Sequence, residues 1–498
     1  MTTLDTPIGA GSGSVMYSRP GSTMGSKLLS LGAAILGTVA AMFSGFAWAS
    51  GDKTRIILPL AALGAIVFGV LALTRFAAFV YLVIGMRASI DLFKLSGSSA
   101  GNTVTNNAAA RSLDPSSIVG VLFLLAAAVW LIARYHDQGH LRGSRLRLLW
   151  VTFWAAGVVS VVGSSIPLTS AMETLRIGTV VMMFVVLEQI IVDRESMMRV
   201  LTAVYVSTLF PLLYTFYGFA TGHPSAEVKG GFTRITGPFS QSTTYGRYLA
   251  FMIIFGVAVY PYLKGRVKIA MGVIVGISSV FLLLTLTRGA LAGAIAGLVV
   301  VMIVQRSKTL LVGFALALVL GVTLAPGLWT RLTEVTASQQ VGGAQTGNTL
   351  AWRLDYWTQV LPLANSNPIT GIGLNVTQYK LDAAKQPHND FLRAYVETGL
   401  LGLVTFVGAL WAMVRIGRQA VRRSAPDSLE RGIAVGYLGA AVAYVLESAG
   451  DNVMSNVVCL VYVIAFAAAA SFIARQPESL TLSASPSRHP TTVINEQH

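Results

Sequence analysis

Apolar residues run along this chain in long blocks, and polar residues fall between them as short punctuation. Fourteen blocks can be counted, at roughly 28–49, 55–73, 75–93, 117–134, 147–164, 173–192, 199–220, 243–263, 267–286, 289–305, 308–326, 399–416, 431–449 and 453–474. Each is close to the roughly 20 residues that a helix needs to cross a bilayer, whereas barrel strands would be about 10 residues long and alternating. The second and third blocks, and the ninth and tenth, are barely separated. The pattern predicts an all-α, polytopic integral membrane protein with about 12–14 transmembrane helices.

One polar stretch between the blocks, 327–398, is long enough to be a small domain. Within it Leu350–Leu361 reads as a helix that Asn348 and Thr349 can cap, with Trp352, Tyr356 and Val360 on one stripe. Arg353 and Trp357 form a second pair at i, i+4. Asn365 to Gly373 is turn chemistry. After Pro387, His388 is placed to start a short helix that reaches Gly399, where the next membrane helix begins. His388 is thus tethered near the bilayer surface. The expected organisation is a disordered N-terminus (1–27), a membrane bundle (28–326), a loop domain (327–398), C-terminal membrane helices (399–475) and a disordered tail (476–498). Ala47-Trp48-Ala49 resembles a signal-peptidase site, but the block before it is long and weakly flanked by basic residues, which favours a first membrane helix.

Composition agrees. The 498 residues are 54% hydrophobic and 11% charged, against roughly 25% charged in a soluble domain. The net charge of +15 would suggest nucleic acid on a soluble protein. Here it reflects basic cytoplasmic loops, and no nucleic-acid partner is expected. With the N-terminus inside, the basic connections Arg134 to Arg147, Asp193 to Arg199, Lys264 to Lys268, Arg306 to Lys308 and Arg415 to Arg431 are cytoplasmic. The stretches 94–116, 164–172, 221–242, 327–398 and 450–452 are then outside, with Lys53 and Arg55 as exceptions. Cys459 is the one cysteine, so no intrachain disulfide and no cysteine-based metal site is possible.

Against this bias, Arg176, Arg247, Arg288 and Arg353 lie on the outer side. A cation at a helix N-terminus opposes the helix dipole, so several on one side call for an anion. Each has a plainer reading. Arg288 can snorkel to lipid headgroups, Arg247 can pair with a carboxylate, Arg353 can stack on Trp357 or pair with Asp355, and Glu173 can neutralise Arg176. His388 can be a cap, yet a histidine above the membrane is also suited to accept a proton. Asn389 and Asp390 read as groups that orient the histidine or cap its helix, and Glu397 as a partner for an arginine. Arg87 and Asp91 at i, i+4 neutralise one another. Glu447 and Asp451 form an outer acidic pair that can partner the arginines. No outer Asp-x-Asp, HExxH or clustered ligand set occurs, so neither a metal nor another cofactor is expected.

These motifs resemble the O-antigen ligase and O-antigen polymerase superfamily of bacterial inner-membrane glycosyltransferases. The matching residues are Thr285 to Gly293 with Arg288, Arg353 with Trp357, Pro368 to Gly373, His388-Asn389, and Glu397 to Gly402. Gly237 to Gln241 and Arg247 add to the likeness, which covers about 237–402. The resemblance implies transfer of a glycan from undecaprenyl pyrophosphate in the periplasm, without a metal, using essential arginines and a loop histidine. Arg288, Arg353 and His388 inherit those roles, Arg247 and Arg176 more weakly. For a ligase the acceptor is a sugar hydroxyl of the lipid A core. A polymerase, a protein O-oligosaccharyltransferase and a lipid-linked glycan transporter remain open; a transporter would show internal repeats and polar mid-membrane residues, and neither is evident.

Overall fold

The computed structural model describes residues 66–93, 115–229, 232–307, 340–341, 344–345, 350–381 and 385–476, with Gly313. The expected helices at 28–49 and 308–326 and the caps Asn348 and Thr349 lie outside the described residues. The chain divides into two units, Met1–Phe79 and Val80–His498. Of the first, residues 66–74 and 76–79 are helical. The helix α1 (Phe76–Ile90) continues into the second unit, where α2 (Pro115–Gln138), α3 (Arg145–Val162), α4 (Pro167–Ile190) and α5 (Arg194–Ala220) follow. A hairpin, β1 (Ala226–Lys229) and β2 (Phe232–Ile235), precedes α6 (Ser242–Val259), α7 (Gly265–Leu284) and α8 (Arg288–Gln305). The two-residue strands β3 (Gln340–Val341) and β4 (Ala344–Gln345) pair antiparallel. They are followed by α9 (Leu350–Ser366), α10 (Asp390–Arg423), α11 (Leu429–Gly450) and α12 (Val457–Arg475).

Among the described residues ten helices are long and apolar enough to cross a membrane. They correspond to ten of the eleven apolar blocks that lie in the described residues, the eleventh, 75–93, forming the shorter α1. The protein is an all-α polytopic membrane protein. Helices α6, α11 and α12 are buried on nearly every side. By contrast α2, α7 and α8 leave large apolar side chains outward, including Leu125, Ile132, Ile269 and Ile303. A helix that is apolar all round fits either setting, protein interior or lipid.

The block at 399 begins as expected. A short helix from Asp390 reaches Gly399, whose φ 69° and ψ −169° are not helical, and the membrane helix follows it to Arg423, the two together making α10. The break frees carbonyls and an amide of α10, and the turn after α9 pairs with them. Ile372 N donates to Val396 O (3.0 Å), Gly373 N to Glu397 O (3.0 Å) and Leu400 N to Pro368 O (2.7 Å). Such pairing needs two backbones in direct contact. A Cβ on Gly399 would collide with Ile369, and one on Gly371 (φ 71°) with Glu397 and Thr398. Only glycine fits either position. Tyr356, Val360 and Ala364 of α9 pack on Val396 of α10, with Trp352 beside them, as the stripe predicts.

Gly399→Ala is expected to lower stability in detergent by about 1–3 kcal/mol, from positive φ and backbone collision together. Gly276→Ala is the control, because a Cβ there meets nothing within 4 Å. Thermal unfolding of both variants checks this, and equal melting temperatures would contradict the account.

Candidate active site at the entrance of α10

The start of α10 is set by its cap. Asn389 Oδ1 accepts from Phe391 N (2.9 Å) and Leu392 N (3.1 Å). His388 therefore stands one residue outside the helix, in the left-handed region at φ 52°, and does not itself start it. Backbone held this way outside glycine is strained and persists only when its surroundings enforce it. Here they do. Trp357 Nε1 donates to Pro387 O (2.7 Å) and Tyr356 OH to Lys385 O (2.5 Å), so α9 grips the approach to His388. Burial pushes the Tyr356 phenol up to about 12, so it stays a donor. Gln386 bridges Asn375 Oδ1 (2.5 Å) and Ser455 Oγ (3.0 Å).

His388 Nδ1 lies 2.9 Å from Asp451 Oδ1, at the end of α11. Asp451 also receives Arg247 of α6, and Arg247 Nε donates to Glu447 Oε2 (2.9 Å). The acidic pair of α11 thus partners Arg247, as the sequence suggested, and partners the histidine as well. Burial opposes ionisation of Asp451, but Arg247, His388 and Arg353 together hold its carboxyl well below the usual range. An ionised Asp451 makes Nδ1 the protonated nitrogen, because a carboxylate only accepts. Nε2 is then the proton acceptor. The side chain of His388 is about one quarter exposed (26%), so a substrate can reach it.

Arg353 extends from α9 to Gly450 O, the C-terminal carbonyl of α11, where a cation suits the helix dipole. Burial lowers its basicity, Asp451 raises it, and Arg288 and Arg247 lower it again. Three guanidiniums are therefore near enough to repel one another. Glu447 and Asp451 answer Arg247, and Asp451 also attracts Arg353. Arg353 Nε has no hydrogen-bond partner among the described residues. Arg288 is the first residue of α8, half-buried, with backbone amides of the helix N-terminus beside it, a setting that favours anions.

The other expected residues fall elsewhere. Arg176 pairs with Glu173 (2.8 Å) and is half exposed. Asp390 Oδ2 accepts from Met454 N (2.9 Å), tying α10 to the 451–456 connection. Glu397 pairs with Arg393 (2.8 Å) and accepts from Asn375 N (2.8 Å) and Thr377 (3.0 Å), so its arginine is not one of the cluster. Arg87 pairs with Asp91 (3.1 Å). Sequence reasoning missed Arg393, which is fully buried between Glu397, Glu173 (3.0 Å) and Ser455. Its spacing of four from Glu397 was the available signal. It also missed Arg234, buried in β2.

Fold and site together define a polytopic membrane protein with a cationic, histidine-bearing site at one end of its helices. Residues 273–407 match the family model described as O-Antigen ligase. The likeness to that family spans this stretch, less than half of the chain. The match contains Arg288, Arg353, His388 and Glu397 and leaves Arg247 and Asp451 outside it. No curated protein matches the chain. The matched family implies a glycosyltransferase-like activity of the ligase or polymerase kind, with lipid-linked glycan as a partner.

Asp451→Asn is expected to lower glycan transfer by roughly 10²–10⁴-fold, the usual worth of a positioned base. It also changes the pH dependence of stability. A carboxyl whose folded pKa is depressed contributes stability above the unfolded value of about 4 and loses it as pH falls through the folded value. The melting-temperature gap between unmutated protein and Asp451→Asn should be constant from pH 8 to pH 5 and close only under stronger acid. A gap that closes between pH 8 and pH 6 would contradict this.

Proposed function

We propose that the protein is an O-antigen ligase of the bacterial inner membrane, acting at its periplasmic face. It transfers glycan from undecaprenyl pyrophosphate to a sugar hydroxyl of the lipid A core, completing lipopolysaccharide. The observation that carries this reading is the His388–Asp451 pair (2.9 Å) beside Arg247 and Arg353. His388 Nε2 takes the proton of the acceptor hydroxyl as its oxygen attacks the anomeric carbon. The bond from that carbon to the pyrophosphate oxygen breaks, and undecaprenyl pyrophosphate leaves with the electron pair. Direct attack inverts the anomeric configuration.

Arg288 and Arg353 serve the leaving group. A guanidinium donates two parallel hydrogen bonds to phosphate oxygens and stays charged. Negative charge on the pyrophosphate grows as the bond breaks, so cations fixed there favour the transition state over the ground state. Arg247 is enclosed by Glu447 and Asp451 and acts through Asp451. Arg176, held on Glu173, lies apart from these groups. The prenyl chain lies between apolar helices.

Purified protein supplied with undecaprenyl-pyrophosphate glycan, lipid A core and EDTA tests the reading. Glycan on lipid A core, reduced at least ~100-fold in His388→Ala and Arg288→Ala, is the expected result. Lengthening of the donor glycan alone would make the protein a polymerase, and movement of donor across liposomes without transfer would make it a transporter.

A further inference from the structure

The hairpin β1–β2 sits in the connection between α5 and α6 and does not contribute to the site described above. Its two strands each place one charged side chain on a helix end. Glu227 and Arg234 stand opposite one another in the antiparallel register. Glu227 Oε1, on β1, accepts from Ser242 N (3.0 Å), an amide of the first turn of α6 that has no partner within the helix. Arg234, on β2, is only 2% exposed. Its Nε donates to Thr285 O (2.9 Å), the carbonyl that ends α7, and its terminal nitrogen donates to Thr287 Oγ1 (2.8 Å).

Those two acceptors bracket Leu286, a β-carbon-bearing residue at φ 49°. Three residues, Thr285 to Thr287, separate α7 from α8, and this left-handed step turns the chain between them. Thr287 is the N-cap of α8, yet its hydroxyl does not bond to the amides of its own helix. It lies 3.3 Å from Ser242 O of α6 and accepts from Arg234. Arg234 therefore holds a strained step immediately before Arg288. The same hairpin, through Glu227, holds the first turn of the helix that carries Arg247. Gly246 lets α6 approach this step closely, since a Cβ there would sit 3.0 Å from Thr285 Oγ1 and 3.2 Å from Thr287 Cβ, tighter than ordinary contact.

We propose that the β1–β2 hairpin is a clasp that sets Arg288, at the start of α8, against the first turn of α6 so that Arg288 meets a pyrophosphate, with Arg234 as its positioning residue. Arg234 is too buried to meet a substrate, so it acts through the Thr285–Thr287 step. A planar fork is required because one side chain must reach a carbonyl and a hydroxyl two residues apart; an ammonium lacks that fixed geometry. This inference rests on the assignment of Arg288 to pyrophosphate under the proposed function.

The test uses full-length protein in nanodiscs, with inorganic pyrophosphate as the probe and binding followed calorimetrically. Arg234→Lys keeps the charge and Thr287→Val keeps the shape. Each is expected to weaken pyrophosphate binding roughly tenfold, through misplacement of Arg288. The double variant should bind no more weakly than the weaker single, because both substitutions remove one contact. Melting temperatures of the two single variants should stay near that of the unmutated protein. Unchanged affinity in both single variants would overturn the clasp and leave the ligase reading standing. Losses that multiply in the double variant would also overturn it, since the two residues would then act separately. An unmutated protein that does not bind pyrophosphate would overturn the anion site and the clasp with it. Val228→Ala, on an exposed face of the hairpin, is the variant expected to bind as the unmutated protein does.

Discussion

The charge exchange among Arg247, Asp451 and His388 is the interaction on which the rest of the site depends. Arg247 is buried near the start of α6 and could not remain there unpaired, since removing one partner of a buried ion pair costs about 3–5 kcal/mol. Glu447 and Asp451 answer it from the last turn of α11 and the residue after it. That requirement fixes how α6 meets α11, and it brings the 451–456 connection against the entrance of α10. His388 is oriented as a consequence, because the carboxylate that neutralises Arg247 also accepts a hydrogen bond from the imidazole Nδ1–H.

A second buried arginine repeats the device below the first. Arg393 holds Glu173 of α4 and Glu397 of its own helix, and Glu397 in turn receives Asn375 and Thr377 from the turn after α9. Ser455 joins this network to Gln386, two residues before His388. The two networks divide the arginines by task. Arg247 and Arg393 are enclosed and set geometry, whereas Arg288 and Arg353 are half-buried and can meet an anion. A site built this way keeps its cations in place before the leaving-group charge develops, so little reorganisation accompanies the reaction.

Backbone strain gathers at the same end of the molecule. Leu286, Asn375 and His388 are three of the four described residues other than glycine with positive φ. Each adjoins a group of the site: Arg288, the Gln386 bridge, and the proposed base itself. The bend at Gly399 adds to this by carrying α10 from the helical unit into the loop segment without a break in the chain's packing. A histidine on a free loop would sample many positions; one gripped by α9, α10 and α11 samples few.

The apolar blocks, their lengths and the polar stretch 327–398 were legible in the sequence because membrane crossing is a one-dimensional constraint. About 20 apolar residues in a row admit few other readings. The arginines at helix ends away from the most basic connections were legible for the same reason, as a departure from the basic-loop bias. The glycines at 371 and 399 were visible as turn signals, but their meeting was not, since it joins residues 28 apart through backbone contact. Partner identity was beyond the sequence throughout. Nothing local says that Arg247 takes Glu447 and Asp451, that Asp451 then takes His388, or that Arg234 reaches Thr287. These pairs join residues 53 to 204 positions apart, and only the packing of helices decides which charged side chains share a buried space. The sequence by itself determined a helical membrane protein with cations on one side; the tertiary structure decided which of those cations are enclosed and which can face a substrate.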